Sequence, residues 1–133
     1  MNDEKQIEKA VIPRNIIWVE DDKFLSSILM KKFGVSGHNI ILAKNSEETF
    51  ELLKNMKPDI FVLDISLPGE SGFDILQKIR MEQNTKSTPV IVLSNTSKQS
   101  DIDKAKLLGA QKFLVKAAVS LDEIIKEVEL LTK

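Results

Sequence analysis

Side chains that can do chemistry stand directly after apolar segments at four places in this chain. The six residues are Glu20, Asp21, Asp22, Asp64, Ser94 and Lys116. The first three follow the segment IIWV, and the others follow IFVL, VIVL and FLV. Clustered carboxylates can hold a divalent cation or act as nucleophiles, a lysine neutralises negative charge, and a serine donates a hydrogen bond. Phosphoryl transfer needs mainly alignment and charge neutralisation, so this set of residue types suits that chemistry.

The elements that must position these residues alternate between two kinds of segment. Short apolar runs predict strands, and the stretches between them carry apolar residues at helical spacing. The strands are predicted at Asn15–Val19, Asn39–Ala43, Ile60–Leu63, Val90–Leu93 and Lys112–Val115. Because each helix returns the chain to the same end of the sheet, the strands are expected to be parallel. We therefore predict an α/β fold, a doubly wound five-stranded parallel sheet of flavodoxin-like order 2-1-3-4-5, with five helices on both faces.

Turn-forming residues mark the expected ends of these elements. Gly34 and Gly109 stand where the first and fourth helices are expected to stop, and the segments Ser46–Thr49 and Ser97–Ser100 stand where helix caps are expected. Residues 1–13 are expected to be a loosely ordered lead-in, which leaves 14–133 as the domain.

The predicted order brings the acids together. Strands one and three are neighbours about 4.8 Å apart, so Glu20, Asp21 and Asp64 should share one cleft at the carboxyl edge of the sheet. Two unit charges about 5 Å apart repel by roughly 3 kcal/mol at an effective dielectric near 20. Protonation of one carboxyl, the nearby Lys116 or a divalent cation would relieve this repulsion. An oxygen-only cluster suits Mg²⁺ best among the common cations.

Composition narrows the function further. The 133 residues include 19 basic and 20 acidic side chains, no cysteine and a single histidine, His38. A net charge of −1 argues against direct binding of nucleic acid, and no apolar run is long enough to span a membrane. Thiolate and histidine metal sites are excluded, and a cytoplasmic setting is expected.

The motifs around these residues resemble the receiver domain of two-component response regulators, over roughly residues 14–133. The matching segments are IIWVEDD, DIFVLDISLPGESGFDIL, PVIVLSN and GAQKFLVKA. Asp21, Asp64, Ser94 and Lys116 follow one another at separations of 43, 30 and 22 residues. One such motif is weak evidence, but all four in this order are highly specific.

The resemblance implies a role for each matching position. Asp64 would accept the phosphoryl group, and Lys116 and Ser94 would contact phosphoryl oxygens. Glu20, Asp21, Asp64 and the backbone carbonyl of Ser66 would hold Mg²⁺. Ser94 would also act as a switch together with Phe113, remodelling the face made by the fourth helix, fifth strand and fifth helix.

The resemblance also implies partners. A histidine kinase or histidine phosphotransfer protein would supply the phosphoryl group, and a downstream protein effector would bind the switched face. The protein would be a monomer or a phosphorylation-dependent dimer, and it would not be a turnover enzyme. The expected form is a stand-alone receiver without contact to nucleic acid or membrane.

The sequence departs from the family pattern at four positions. Asn95 is larger than the usual residue, Glu20 is a common variant of aspartate, and the other two positions are Ala117 and Phe113. Ala117 follows Lys116, where the family usually has a proline in a cis bond, and a cis bond without proline costs about 2.5–4 kcal/mol. The sequence leaves the isomer of this bond open, and with it the aim of the Lys116 side chain. Phe113 lacks the hydroxyl of the commoner tyrosine, which removes one hydrogen bond from the switched state.

Three other interpretations compete with this one. The chain could be a degenerate receiver that binds partners independently of phosphorylation. It could be a Mg²⁺-dependent phosphohydrolase, but Ser66 stands where that chemistry needs a general acid. A flavin-binding protein is disfavoured because the acidic turn after the first strand would repel a phosphate.

Overall fold

The structure, a computed structural model, describes residues 12–67 and 69–133. The strands are β1 (Asn15–Val19), β2 (Asn39–Ala43), β3 (Ile60–Asp64), β4 (Val90–Ser94) and β5 (Lys112–Val115). The helices are α1 (Lys23–Ser36), α2 (Ser46–Leu52), α3 (Gly72–Met81), α4 (Gln99–Leu107) and α5 (Leu121–Leu131), with a short 3₁₀ turn at Lys116–Ala118. The expected lead-in lies mostly outside the described residues, so the boundary at residue 14 stays a prediction.

The five strands form one parallel sheet in the order β2-β1-β3-β4-β5. Its register pairs Val19 with Leu63 and Asp64 with Leu93, so the chain segments that follow β1, β3 and β4 leave the same edge together. The predicted fold class, strand order and number of helices are confirmed. Strands β3 and β4 each extend one residue beyond the prediction, to include Asp64 and Ser94.

Two apolar clusters form the core, one on each face of the sheet. Alternate strand residues point to opposite faces, so neighbours such as Ile17 and Trp18 belong to different clusters. Helices α1 and α5 cover the Trp18 face, and α2, α3 and α4 cover the Ile17 face. The central strands β1, β3 and β4 are buried almost along their whole length, as expected for a parallel sheet covered on both sides.

Helix ends differ from the sequence prediction at α1 and α2. Gly34 does not stop α1, which continues to Ser36 and ends at Gly37 with φ of 88°. A left-handed residue satisfies the last carbonyls of a helix, and the φ of Gly37 has that sign. The cap of α2 is Asn45, whose side chain accepts the Glu48 N–H, so Ser46 is the first helical residue.

Within the part of the chain that the structure describes, no helix combines the length and the apolar character that crossing a membrane requires.

Candidate functional site

Three carboxylates meet at the carboxyl edge of the sheet. Glu20 follows β1 directly and Asp64 is the last residue of β3, and each is only 2% exposed. Asp21 lies beside them and is exposed. One carboxylate oxygen from each of the three lies within 4.8 Å of the others. The structure thus brings together the three acids that the strand order predicted to share a cleft.

Lys116 joins two of these acids. Its Nζ donates to Asp64 Oδ2 at 2.7 Å and to Glu20 Oε1 at 3.1 Å. The lysine begins the 3₁₀ turn after β5, and its side chain is 23% exposed. No peptide bond in residues 12–67 and 69–133 is cis, so the bond before Ala117 is trans, and it still lets the amine reach both carboxylates.

The charges in this cluster shift two pKa values. Burial raises the pKa of Glu20 above its ordinary value, the charge of Asp64 raises it further, and Lys116 opposes both. Burial acts to lower the pKa of Lys116, but the hydrogen bonds and charges of Asp64 and Glu20 more than compensate and raise it. The lysine is therefore held as a cation between two acids. Because three carboxylates meet a single lysine here, the cluster would attract a further cation.

The segment after β3 is packed closely onto the strand end. The Ser66 N–H donates to Asp64 Oδ1 at 2.8 Å, and the Ile65 N–H donates to the Leu93 carbonyl at 3.0 Å. A Cβ on Gly72 would lie 2.5 Å from the Asp64 carbonyl oxygen, so only glycine allows α3 to start this close to the site. Ser71 caps α3 by accepting the Phe73 N–H.

Ser94 and Phe113, the two predicted switch residues, lie on the neighbouring strands β4 and β5. Ser94 is 2% exposed, and its Oγ accepts the Thr96 N–H at 3.1 Å. Phe113 pairs with Val92 in the register and is half-buried against the cluster under α2, α3 and α4. Strand alternation places Ser94 and Phe113 on the same face of the sheet.

The third acid of the first motif has a structural role. The Asp22 side chain accepts the Phe24 and Leu25 N–H groups at 2.9 and 3.1 Å and caps α1. A carboxylate is favoured at this position because it accepts N–H groups at the helix start and because the positive end of the helix dipole attracts negative charge. The Asp22 N–H in turn donates to Glu20 Oε2 at 3.3 Å, so the capped turn supports the neighbouring acid.

Sequence reasoning missed one residue beside the site. Glu70 Oε1 accepts the backbone N–H of Ser46 at 2.7 Å, which links the segment after β3 to the start of α2. The two residues are 24 positions apart, and no spacing motif in the sequence signals such a contact.

The donors present fit a hard divalent cation. Glu20, Asp21 and Asp64 offer only oxygen atoms, two of the three are buried, and the exposed Asp21 leaves one side open to solvent. Mg²⁺ prefers one or two carboxylates, several waters and a phosphate oxygen over a closed cage of protein ligands. The open, acidic cleft has the character of such a site.

In a comparison with known protein families, residues 16–129 match the family described as response regulator receiver domain. The chain is 32% identical over 116 residues to the regulator of RpoS from Escherichia coli K12, and 34% identical over 104 residues to the transcriptional regulatory protein AfsQ1 from Streptomyces coelicolor. These matches cover 87% and 77% of this chain but only 34% and 44% of those two proteins.

Solved structures show the same fold. The receiver domain of the Francisella response regulator 1452 superposes with a TM-score of 0.78 at 29% identity, covering 90% of this chain and 96% of that one. The receiver domain of the sensor histidine kinase PA1611 from Pseudomonas aeruginosa, solved with magnesium coordinated in its active-site cleft, gives 0.79 at 19% identity over 91% and 98% of the two chains.

Proposed function

Because this chain belongs to the response regulator receiver domain family, we propose that it accepts a phosphoryl group on Asp64, with Mg²⁺ bound beside it, and passes the signal on through a protein contact. Receiver domains are signalling proteins rather than turnover enzymes, they bind Mg²⁺ in the acidic site, and they interact with histidine kinases or phosphotransfer proteins and with effectors. The chain spans less than half the length of the regulator of RpoS and of AfsQ1, 34% and 44%.

The observation that carries the proposal is the position of Lys116. A buried Asp64 alone could be a structural acid, but its Oδ2 receives a lysine amine at 2.7 Å while a second buried acid, Glu20, receives the same amine at 3.1 Å. Two buried carboxylates that share one cation reduce the stability of the fold, because a single lysine does not compensate both charges. A site prepared to receive an additional cation and a phosphoryl group accounts for it.

In the proposed reaction a carboxylate oxygen of Asp64 attacks the phosphorus of a phosphohistidine. The O–P bond forms as the P–N bond breaks, and the imidazole leaves with a proton in place of the phosphoryl group. The product is an acyl phosphate, a labile mixed anhydride suited to a transient signal. Mg²⁺, held by Glu20, Asp21, Asp64 and the Ser66 carbonyl, would neutralise phosphoryl charge in this reaction.

Lys116 and Ser94 complete the proposed reaction site. The Lys116 amine moves from the free carboxylates to a phosphoryl oxygen, which its position between Glu20 and Asp64 allows. Ser94 is already buried at the end of β4, where its Oγ accepts the Thr96 N–H, and its hydroxyl would donate to a phosphoryl oxygen. Added negative charge of about −1.5 to −2 would attract both groups inward.

We propose that this inward movement reaches the face formed by α4, β5 and α5. The side chains of Ser94 and Phe113 lie on the same face of the sheet, and Phe113 is only half-buried against the apolar cluster on that face. An ion pair between Lys112 and Glu127 joins β5 to α5 on the α4–β5–α5 face. A protein effector that binds here would respond to phosphorylation, and amide exchange in α4 and β5 should change on phosphorylation in wild type and not in Ser94→Ala.

Intact mass after incubation with acetyl phosphate tests the phosphoacceptor. We expect a Mg²⁺-dependent gain of one phosphoryl group in wild type and no gain in Asp64→Asn. Asp59→Asn is the matched control, because it removes an exposed carboxylate near the other end of β3. Absence of any gain in wild type, under conditions that modify another receiver domain, would contradict the proposal and favour a phosphorylation-independent interaction module.

A further inference from the structure

The proposed Mg²⁺ ligands come from two separate segments of the chain. Glu20 and Asp21 follow β1, whereas Asp64 and Ser66 follow β3. Asp64 is fixed because it is still paired within the sheet. Ser66 lies two residues further on and is exposed, so the position of its carbonyl depends on whatever holds the segment between β3 and α3.

Glu70 anchors the far end of that segment to a different element. Its carboxylate accepts the Ser46 N–H at 2.7 Å, and Ser46 itself is only 8% exposed. Lys78 of α3 donates to the Ser46 hydroxyl at 3.3 Å. The backbone N–H and the hydroxyl of Ser46 therefore both contact residues that follow Asp64 in the chain. Gly69, with φ of 82°, provides the turn that presents Glu70 to Ser46.

The Glu70–Ser46 hydrogen bond is one of two contacts that connect the turn between β2 and α2 to the acidic segments. On one side the Glu20 N–H donates to the Ala43 carbonyl at 2.8 Å, which attaches the first acidic segment to the end of β2. Three residues after Ala43 comes Ser46, whose N–H binds Glu70. On the other side the Ser66 N–H returns to Asp64 Oδ1 at 2.8 Å. The turn between β2 and α2 thus bridges both segments that carry the proposed metal ligands.

We propose that Glu70 is a positioning residue of the Mg²⁺ site, which acts through the Ser46 N–H to hold the Ser66 carbonyl toward the cation. The inference rests on the proposed function and extends it to a residue that does not contact the metal itself. Residues that orient metal ligands commonly change metal affinity by 10- to 100-fold when they are lost. Glu70 acts through a backbone segment rather than on a ligand directly, so we expect a smaller loss of roughly 3- to 10-fold.

Titration calorimetry of the unphosphorylated chain with Mg²⁺ tests the inference. Glu70→Ala should raise the Mg²⁺ dissociation constant by roughly 3- to 10-fold, and Glu70→Gln, which keeps an acceptor oxygen, should stay close to wild type. Glu47→Ala is the matched control, because it removes an exposed carboxylate from the same turn of α2. Phosphoryl uptake by Glu70→Ala should be slow at low Mg²⁺ and recover at saturating Mg²⁺.

A second variant removes the donor of the same hydrogen bond, the Ser46 N–H. Ser46→Pro deletes the N–H donor at the first position of α2, where proline is well tolerated and follows the extended Asn45. It should weaken Mg²⁺ binding as much as Glu70→Ala, and the double variant should show no additional loss.

The outcomes separate the inference from the proposed function. If folded Glu70→Ala and Ser46→Pro both bind Mg²⁺ as wild type does, Glu70 has no positioning role and the proposed function is untouched. If additive losses appear in the double variant, the two residues act independently and the inference is also wrong. If wild type binds no Mg²⁺, the proposed function fails, and the inference fails with it.

Discussion

At the scale of single residues, the charge of Lys116 holds the acid cluster together in the absence of metal. Glu20 and Asp64 are buried, and the same amine contacts both. Removing one member of a buried ion pair is costly because an uncompensated charge stays behind, whereas exposed pairs contribute little. The chain contains both kinds of pair, which permits a direct comparison.

Lys116→Met should lower the free energy of unfolding by about 3 kcal/mol at pH 7 without Mg²⁺. Lys112→Met should cost less than about 1 kcal/mol, because the Lys112–Glu127 pair is 3.8 Å long and partly exposed. Urea denaturation followed by fluorescence of Trp18, the single and fully buried tryptophan, measures both. Equal losses in the two variants would show that Lys116 is an ordinary surface lysine.

Ionised Glu20, in contrast to Lys116, lowers the stability of the folded protein. Its pKa is raised above the ordinary value of 4.5 by burial and by Asp64, so the folded protein binds the Glu20 proton more tightly than the unfolded chain does. Stability from this proton is fully present below pH 4.5 and is lost as the pH rises through the raised pKa. The ionised Glu20 therefore costs stability at neutral pH, a cost that a bound cation would offset.

Glu20→Gln should raise the free energy of unfolding at pH 7 without Mg²⁺ by roughly 1 kcal/mol. The gain should shrink as the pH falls through the raised pKa and should vanish well below pH 4.5, where Glu20 is protonated in both the folded and the unfolded state. The same variant should bind Mg²⁺ more weakly than wild type. Denaturation curves across this pH range measure the difference, and a variant less stable than wild type at pH 7 would contradict the assignment.

At the scale of elements, two glycines show how helix ends and loops are held. Gly34 lies inside α1, and a Cβ there would meet no atom of the described residues within 4 Å. Gly109 follows α4 with φ of 88°, and a Cβ there would lie 2.9 Å from Arg80 Nε. Arg80 donates from this position to the carbonyls of Thr88 and Gly109 at 2.8 Å, joining α3 to the connections before β4 and β5.

Gly34→Ala should stabilise the protein by about 0.5–1 kcal/mol, because alanine loses less backbone entropy in a helix. Gly109→Ala should destabilise it by about 1–2 kcal/mol, because a side chain disfavours the left-handed region and displaces Arg80. The two substitutions add the same methyl group and differ only in conformation and surroundings. Urea midpoints of the pair compare them, and stabilisation by both would show that the Gly109 turn relaxes freely.

At the scale of the whole molecule, a ligand that binds only the folded state stabilises the entire domain. The proposed Mg²⁺ ligands come from the ends of β1 and β3, which lie at the centre of the sheet, and they assemble only when the sheet is formed. Binding of Mg²⁺ at the proposed site would therefore be coupled to folding.

Mg²⁺ at ten times its dissociation constant should stabilise the protein by about 1.4 kcal/mol, which corresponds to a rise in Tm of roughly 5 °C. Asp21→Asn should lose most of this rise, since it removes the exposed acid of the cluster. Asp22→Asn should retain it, because asparagine caps α1 as well as aspartate does. Thermal melts with and without Mg²⁺ measure the shift, and a full rise in Asp21→Asn would place the cation elsewhere.

The sequence by itself determined the alternation of strands and helices, the extent of each strand to within one residue, and the four strand ends that carry the reactive side chains. These features follow from local periodicity and from short motifs. The strand order needed more than periodicity, and the flavodoxin-like order, chosen among the common topologies of doubly wound sheets, is the one that the structure confirms. With that order known, the meeting of Glu20, Asp21 and Asp64 follows from the spacing of neighbouring strands.

Only the tertiary structure decided which atoms contact each other. Lys116 reaches across 52 and 96 positions to Asp64 and Glu20, despite the trans bond to Ala117. Glu70 reaches Ser46, and α1 runs past Gly34 because packing and the Gly37 turn outweigh one unfavourable helix residue. Local patterns specify what each segment is, whereas contacts between distant residues depend on the path of the whole chain and on side-chain conformations that no spacing encodes.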